Sequence, residues 1–459
     1  MRIRHDVASL TSADRSTAET GAWHPVLDTY ARGVQLMRQL DPEMTPDSWI
    51  WAANTHGTPL GTPPRPAWGQ CAHASRFFLP WHRAYLAWFE STIRRLTGDQ
   101  AWGLPYWDYS VADNPSARLL PVEFAVETRT VAGQVEANPL FVPGRSPSPL
   151  PPVDVDIVPA LSETRYVREV PDVGFGGADR DRFFGNVESL PHNFVHVDIG
   201  ALMRSPATAA RDPIFWLHHA NVDRLWEVWR SLPGSVALTD PGGASALLMT
   251  QWRSAMFFFG DERSPTTYQM SELEDLGSPR MQYEYESTKL PHAIAEAVET
   301  ARLAAAPVPG GGLTVDEVQP GWQPVAATFD LESGEERDVP FTVGPRGLDA
   351  APPSRLVLEL AGAQATDPHS AYVVEVRSAP DSAPHVAGRF STFGLAGTPD
   401  TEERNYLVDA SAVLPDLLAE GWTGGRLTVR VVPEPDRPDS ADTDRSIHLR
   451  QVTVYLPTP

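Results

Sequence analysis

Residues 192–229 read HNFVHVDIGALMRSPATAARDPIFWLHHANVDRLWEVW. His192 and His196 stand four positions apart at the start of this stretch, and His218 and His219 lie side by side in an aromatic segment further along. On an α-helix, residues four apart share one face and are separated by about 6 Å along the axis, so the first pair can bind one ion. A second helix can supply the third ligand from either member of its pair. The stretch therefore predicts half of a metal site, built on two helices.

A second group of histidines lies upstream, at His56, His73 and His82. His82 falls in a predicted helix that is apolar on nearly every face, so this histidine is expected to be buried and to have a function. Three imidazoles per ion, with no carboxylate or thiolate at matching positions, favour copper or zinc. Each histidine taken alone could be an ordinary core residue, but six together argue against that. The zinc-protease pattern HExxH is absent, because Asn193 follows His192.

The composition is that of a soluble globular chain. Its 459 residues are 42% hydrophobic and 21% charged, and they exceed the length that one core usually holds, so we expect two domains. The net charge of −22 disfavours nucleic acid and anionic membrane surfaces as partners. The single cysteine excludes an intrachain disulfide, and no signal-peptide pattern or long apolar run is present. We therefore expect a cytoplasmic protein with no membrane partner.

Hydrophobic spacing divides the chain into two parts. Helical periodicity dominates residues 1–300, and it predicts helices within 7–40 (one helix, capped by Ser12), 45–56 (capped by Thr45), 80–90, 191–199, 213–231 and 246–259. Residues 301–315 are rich in Ala, Pro and Gly and predict a linker. Alternating runs over 316–459 predict a β-sandwich. The predicted fold is a mainly α N-terminal domain, with a four-helix bundle around the metal site, followed by an all-β sandwich domain.

Three motifs carry a family resemblance: FLPWHR at 78–83, PHNFVH at 191–196 and DPIFWLHHA at 212–220. They closely resemble the two copper motifs of tyrosinases, catechol oxidases and molluscan-type hemocyanins, and the similarity extends over residues 20–290. The resemblance implies a type 3 centre with two copper ions and with O2 as co-substrate. It assigns His56, His73 and His82 to the first copper and His192, His196 and His219 to the second, with His218 as a neighbour that does not bind copper.

Cys71 fits the same comparison. Fungal tyrosinases and molluscan hemocyanins carry a Cys-x-His in which the cysteine sulfur is joined to the ligand imidazole as a thioether, and Cys71-Ala72-His73 has that spacing. The bond would fix the orientation of the ring without ligation through sulfur. The alternative is an unmodified thiol beside the site.

The resemblance also implies roles around the substrate. Glu188 and Asn193 match the pair that holds a water able to deprotonate a phenol, and we expect a carboxylate near two cations to stay ionised. The other possibility for Glu188 is a helix N-terminal partner, a role compatible with the first. Val197 falls where the family varies its substrate contact, and Pro206 falls where other members place a gate above the first copper.

The C-terminal part resembles, more weakly, the β-rich domain of plant-type polyphenol oxidases, in AGRFS at 387–391 and LPDLL at 414–418. In latent members of that group this domain covers the copper site, and one side chain plugs its entrance. We expect Phe393 or Leu395 to be the plug in this chain. A passive stabilising domain is the alternative.

The sequence therefore favours a copper oxidase that converts monophenols or ortho-diphenols to ortho-quinones, or ortho-aminophenols to quinone imines. A small phenolic or aminophenolic substrate is the expected partner. A hemocyanin-like oxygen carrier has the same six ligands and is the main alternative, but such carriers join many units in one chain and this chain holds one. An inactive descendant that serves as a binding module is a third alternative, against which the intact ligand set argues.

Overall fold

The computed structural model describes residues 1–42, 44–111, 114–305, 322–340, 353–365, 370–379, 381–393, 395, 404–422, 426–434 and 446–457. Helices dominate the chain up to residue 305, and long strands dominate it afterwards. The α-helices are α1 (Arg15–Thr20), α2 (Pro25–Gln39), α3 (Trp49–His56), α4 (Phe78–Thr97), α5 (Val158–Ser162), α6 (Asn193–Ile199), α7 (Pro213–Ser231), α8 (Ala246–Ser254), α9 (Met270–Leu273), α10 (His292–Ala305) and α11 (Leu414–Ala419).

The strands fall into two groups. Short pairs lie among the helices: β1 (Arg2–Arg4) with β8 (Tyr283–Tyr285), β2 (Thr128–Val131) with β3 (Gln134–Ala137), β4 (Val167–Arg168) with β5 (Gly177–Ala178), and β6 (Met256–Phe259) with β7 (Thr266–Gln269). The later strands are β9 (Trp322–Glu332), β10 (Glu336–Pro340), β11 (Val357–Ala365), β12 (Ala371–Arg377), β13 (His385–Ser391), β14 (Arg404–Asp409), β15 (Arg426–Pro433) and β16 (Ile447–Pro457). They form two antiparallel four-stranded sheets, in the orders β10-β15-β12-β13 and β14-β11-β16-β9.

The two four-stranded sheets share one hydrophobic core. Leu358 and Leu360 of β11 pair with Val454 and Val452 of β16, and all four side chains are buried. Alternating valines of β12 and β15 in the other sheet belong to the same cluster of buried residues. The period-two spacing of these side chains explains why this part forms strands, since successive residues point to opposite faces.

The N-terminal helices differ from the sequence prediction. The expected single helix within 7–40 is two helices, α1 and α2, because the chain breaks at Gly21 and restarts at His24-Pro25. The predicted cap at Ser12 is wrong, since Asp14 accepts the backbone N–H of Thr17 and caps α1. Proline suits the first turn of a helix, where its missing N–H costs nothing, so Pro25 is a start signal that the hydrophobic periodicity obscured.

Two other predicted boundaries move for local reasons. The predicted cap Thr45 is wrong, because Ser48 accepts the backbone N–H of Trp51 at 3.1 Å and caps α3. The helix expected over 246–259 ends at Ser254, and residues 256–259 form β6 instead. That segment reads MFFF, which favours a strand because aromatic residues pack well on a pleated surface.

The helical part is closed by its own first strand. β1 pairs in parallel with β8, so Arg4 lies beside Tyr285. Asp223 of α7 lies at the centre of this closure and accepts hydrogen bonds from the hydroxyls of Tyr283 (2.6 Å) and Tyr285 (2.5 Å). It also pairs with Arg83 (2.5 Å) and Arg4 (3.2 Å), all of them buried. Buried charges need such partners, and the network fixes α4 and α7 relative to each other.

Helix α10 continues through residue 305, so the first residues of the predicted linker 301–315 are helical. Its sequence HAIAEAVETARLAA is rich in alanine, which is the best helix former. The rest of the predicted linker lies outside the described residues. Among the described helices, none is both long and apolar enough to cross a lipid bilayer.

Candidate metal centre

The structure gathers the predicted histidines into two groups. His56, Cys71, His73 and His82 form the first group, and in each group the candidate ligand atoms lie within 4.8 Å of one another. The second group is His192, His196, His218 and His219. Helices α3 and α4 carry His56 and His82, a loop carries His73, and the remaining four lie on or next to α6 and α7.

Hydrogen bonds orient four of the imidazoles. In each of them the Nδ1–H donates to an oxygen, so the Nε2 atom keeps its lone pair for a metal. The acceptors are the carbonyl of Pro206 for His56 (2.9 Å), that of Phe78 for His82 (2.8 Å), that of Met203 for His196 (2.9 Å), and the side-chain oxygen of Asn193 for His192 (2.9 Å).

The second group has the spacing of a metal site. The Nε2 atoms of His192 and His196 each lie 3.3 Å from the Nε2 atom of His219. Nitrogen atoms at that spacing can all lie about 2.0 Å from one central ion in tetrahedral geometry, the usual length of a bond from imidazole to a transition metal. The donor set is neutral and nitrogen-only, which suits copper. The residues present therefore fit a copper ion.

The structure distinguishes His219 from His218. His219 Nε2 faces His192 and His196, whereas its buried Nδ1 has no hydrogen-bond partner among the described residues. His218 Nδ1 is 2.9 Å from the hydroxyl of Tyr109, its ring stacks on His192 with centroids 5.2 Å apart, and its Nε2 is buried within the same group. The choice of His219 as the ligand and of His218 as a neighbour stays a prediction.

The two groups face each other. The rings of His82 and His219 stack with centroids 4.3 Å apart and planes 11° apart, and the His73 and His192 centroids are 5.7 Å apart. His56 lies 6.2 Å from His219 by the same measure. Two ions held by these groups would therefore share one small space, as a dinuclear site requires.

Burial keeps these imidazoles neutral. It lowers the pKa of His56 to about 4 and that of His192 to about 3, although hydrogen bonds to Pro206 and Asn193 partly oppose the effect. Burial also lowers the pKa of His219 well below its usual value, and the neighbouring imidazoles add to this. A neutral imidazole is the form that binds metal, so the cluster is ready to accept ions at neutral pH.

Cys71 lies against two of the three proposed ligands of its group. Its Sγ atom is 3.4 Å from Nδ1 and 3.5 Å from Nε2 of His73, so it is about equally far from the two nitrogens that flank the ring carbon Cε1. It is also 3.4 Å from Nε2 of His82. The thiol is close enough to react with the His73 ring, and the thioether stays a prediction.

Glu188 and Asn193 both adjoin the centre, with contacts that sequence alone did not indicate. One oxygen of Glu188 accepts the backbone N–H of Ala74 at 2.8 Å, while the other is buried and has no hydrogen-bond partner among the residues that the structure describes. Burial raises the pKa of Glu188 well above its usual value, and the expectation that two bound cations keep this carboxylate ionised stays a prediction. Asn193 orients His192, and its role in holding a water stays a prediction.

The two predicted substrate residues differ in position. Val197 is buried on α6 next to His196, and its contact with substrate stays a prediction. The carbonyl of Pro206 binds the Nδ1 side of His56, away from the Nε2 atom that a metal would need. The structure therefore shows Pro206 as a support for a ligand, and its role as a gate stays a prediction.

The C-terminal part reaches the centre through one side chain. Phe393 is fully buried, and its ring lies edge-on to His73 and His192 with centroids 5.6 Å from each. It also stacks on His196. Leu395, the other predicted plug, lies in the core shared by the two sheets. Phe393 therefore has ring contacts with three of the histidines, and the role of either residue as a plug stays a prediction.

Neighbouring contacts hold Phe393 in place. The hydroxyl of Ser391 accepts the backbone N–H of Phe393 at 3.2 Å and donates to the carbonyl of Asn193 at 3.4 Å. Arg389 pairs with buried Asp154 at 2.8 Å and lies over the ring of Phe194. A cavity of about 310 Å³ between Phe194 and the strands of the C-terminal part shows that the contact is not closely packed throughout.

Several residues of the site were not found from the sequence. The carbonyls of Phe78 and Met203 orient ligands, but a backbone carbonyl leaves no signal in a sequence. Phe215 lies 4.2 Å from His219 and 4.9 Å from His56 between ring centroids, and so packs between the two groups. The hydroxyl of Tyr109 lies 2.9 Å from His218 Nδ1, a contact between residues more than a hundred positions apart that the sequence does not indicate.

Comparison with known proteins agrees with this geometry. A family model described as the common central domain of tyrosinase matches residues 46–232, which include all six proposed ligands. A tyrosinase of Hahella sp. (strain CCB-MM4) is 28% identical over 469 residues, covering 94% of this chain and 96% of that protein. The latent chloroplastic polyphenol oxidase of Prunus armeniaca is 30% identical over 254 residues, covering 48% of this chain and 39% of that protein.

Solved structures show the same fold. The structure of latent apple tyrosinase has a TM-score of 0.58 at 20% identity, covering 99% of this chain and 97% of that one. The latent aurone synthase structure has a TM-score of 0.57 at 19% identity, covering 100% and 90%. Both comparisons support a helical core with sheets. With the family model, the sequence relatives and the paired histidine groups in agreement, residues 46–232 carry the central domain of tyrosinase, and the chain around them is similar to tyrosinases and polyphenol oxidases.

Proposed function

We propose that this protein is a type 3 copper oxidase, which uses O2 to oxidise ortho-diphenols, or ortho-aminophenols, and to hydroxylate monophenols. The observation that carries the proposal is the pair of facing histidine groups, with oriented Nε2 lone pairs and the 3.3 Å spacing around His219. The first ion would be held by His56, His73 and His82, and the second by His192, His196 and His219. When bound, two copper ions supply the binding and reduction of O2.

The chain's own groups supply the proton chemistry. The unpartnered oxygen of Glu188 is the acceptor for a phenol proton, directly or through one water, once bound cations favour its ionised form. Asn193 holds His192 by its side-chain oxygen, which leaves its amide N–H groups to position that water. The buried aromatic walls, Phe215 among them, exclude bulk water from the reacting groups.

We also propose that the chain is a latent enzyme of two domains. The helices around the centre would form a four-helix bundle in residues 1–300, and the two sheets would form a β-sandwich over 316–459 that shields the site. Phe393 occupies the space next to His196 that a substrate ring would need. A partly unfilled contact between the two parts lowers the cost of their separation.

The alternatives have less support. A hemocyanin-like oxygen carrier would need the same ligands, but the relatives named above are tyrosinases and polyphenol oxidases. An inactive binding module would not need six clustered imidazoles, four of them oriented by hydrogen bonds. A cytoplasmic location and the absence of a nucleic-acid partner stay predictions.

One experiment tests the activity. The full chain and its Phe393→Ala variant are loaded with copper, and O2 uptake is measured with tyrosine, catechol and 2-aminophenol in parallel. We expect uptake by the variant with at least one of the three. Reversible O2 binding without uptake in both proteins would support the carrier instead.

A further inference from the structure

The edge strand of the C-terminal part docks on a strained loop of the helical part. β14 is the outer strand of its sheet, so one side of it is available for other partners. Its residue Asn405 donates its backbone N–H to the carbonyl of Arg182 at 3.0 Å and forms a parallel bridge with Phe183. The next aromatic residue, Phe184, stacks on Tyr406 of the same strand. The strand thus extends into the helical part.

The contact continues towards the metal centre through two unusual residues. Arg182 donates its backbone N–H to the carbonyl of Ala74 at 2.8 Å. Arg182 has a φ of 78° and Ala74 a φ of 50°, the left-handed region that residues with a side chain seldom adopt. Such conformations persist only where surrounding contacts hold them. Here the two left-handed residues, Ala74 and Arg182, are hydrogen-bonded to each other, and strand β14 is hydrogen-bonded to Arg182.

Ala74 is placed to transmit this contact. It follows the proposed ligand His73, and its backbone N–H donates to the Glu188 carboxyl at 2.8 Å. It is also buried, and it packs with the core residues of the C-terminal sheets rather than with those of the helical part. A rotation of the Ala74 peptide would therefore remove the hydrogen bond that holds one oxygen of Glu188.

We infer that strand β14 positions Glu188 for the reaction, through the backbone relay Asn405, Arg182 and Ala74, so that the C-terminal part supports the active site as well as covering it. Asn405, Arg182 and Ala74 are positioning residues, since none of them would touch substrate. The inference rests on the proposed function of Glu188. The inference implies that removal of the whole C-terminal part would both expose the metal centre and release Glu188 from its position. Removal of the Phe393 ring alone would only expose the centre.

Arg182 offers a matched test, because its side chain is exposed and the relay uses only its backbone. In the copper-loaded full chain carrying Phe393→Ala, Arg182→Gly is compared with Arg182→Val. Glycine adopts the left-handed conformation freely, whereas a β-branched residue disfavours it. Both changes remove the same side-chain contacts. We expect Arg182→Val to lower kcat for a monophenol roughly fivefold relative to Arg182→Gly, with KM and copper content equal.

A second pair of variants changes strand β14 itself. Asn405→Pro removes the N–H that reaches Arg182, and edge strands tolerate proline, while Asn405→Ala keeps that N–H. Hydrogen exchange in the peptide that contains Ala74 is measured in the metal-free full chain. We expect it to be at least about fivefold faster for Asn405→Pro than for Asn405→Ala. We expect the same difference between Arg182→Val and Arg182→Gly. Equal exchange and equal kcat within both pairs would overturn the inference.

Failure of the proposed function and failure of the relay give different results. If Phe393→Ala turns over no phenol, the proposed function fails, and hydrogen exchange still decides whether the relay exists. If Phe393→Ala is active and the valine and glycine variants have the same kcat, the function stands and the relay does not position Glu188. If Arg182→Val fails to fold, the Asn405 pair gives the decision.

Discussion

The ring of Phe393 stacks on the imidazole of His196 with centroids 3.9 Å apart and planes 11° apart. A phenol approaching the second histidine group needs the same face of that imidazole, because aromatic rings prefer such stacked contacts. As the proposed plug, Phe393 would imitate the substrate, and turnover would wait until this ring is removed or displaced.

The first prediction concerns this ring. Phe393→Ala is expected to raise catechol turnover by the copper-loaded full chain at least about tenfold, since substrate no longer competes with a tethered ring. Initial rates of O2 uptake measure it. Leu395→Ala is the control: it should lower the free energy of unfolding by about 2–5 kcal/mol without raising turnover, because Leu395 belongs to the core of the sheets. Equal activation by both changes would count against a plug.

The second prediction separates the two adjacent histidines. His219→Gln should leave close to one copper per chain after dialysis, because His219 Nε2 lies 3.3 Å from both partner nitrogens. His218→Gln should retain two, since its Nδ1 is bonded to Tyr109 and its role is support. Atomic absorption measures copper per chain. Loss of copper in the His218 variant alone would reverse the assignment.

The third prediction is acid sensitivity from Asp223. Burial by itself raises the pKa of this carboxyl, but Arg83, Arg4 and the hydroxyls of Tyr283 and Tyr285 bring it below its usual value. A lowered folded-state pKa means that the stabilisation is complete above the unfolded value of about 3.9 and is lost as pH falls through the lower folded value. We expect Tm to decrease as pH falls below the unfolded pKa of about 3.9 and towards the lower folded pKa of Asp223.

The matching variant is Asp223→Asn. It leaves two buried guanidinium groups without their shared carboxylate, so it should destabilise the protein by about 3–5 kcal/mol at neutral pH. Its Tm should also depend less on acid than that of the parent. Tyr285→Phe keeps the charges and removes one hydroxyl, and its loss should be smaller. A parent and an Asp223→Asn variant with identical acid profiles would show that other carboxyls dominate.

The fourth prediction concerns Cys71. After copper loading in the presence of O2, intact mass should show loss of the thiol hydrogen and of one ring hydrogen, as a thioether to His73 requires. The Sγ atom is already 3.4 Å from Nδ1 of that ring. Cys71→Ser should keep its calculated mass under the same treatment. A parent protein of unchanged mass with a titratable thiol would rule the bond out.

The sequence predicted the histidine groups because part of their spacing is local, whereas the choice of six ligands came from the family resemblance and stays a prediction. His192 and His196 depend only on one helix, and the motif around His218 and His219 on another. The fold classes of the two parts followed from hydrophobic period alone. The helix boundaries at Gly21 and Ser48 were missed because a cap depends on one hydrogen bond, which residue patterns leave open.

Other features depend on contacts between distant parts of the chain. The left-handed conformations of Ala74 and Arg182 could not be predicted, since neither residue type favours them and a distant strand supports them. The partners of Asp223 lie more than two hundred residues apart, on β1 and β8. The protonation of Glu188 depends on its burial, which only the folded chain reveals.

The parallel pairing of β1 with β8 sets an order of events during synthesis. Arg4 leaves the ribosome early, yet its neighbour Tyr285 is made only after nearly all of the helical part. At about 5–20 residues per second, that interval lasts tens of seconds. During this interval the six histidines of the centre are synthesised one after another. The network around Asp223, which fixes the helices that carry some of them, is still incomplete. A ribosome that stalls within this interval would hold a chain that has its ligands but lacks the closure that aligns them.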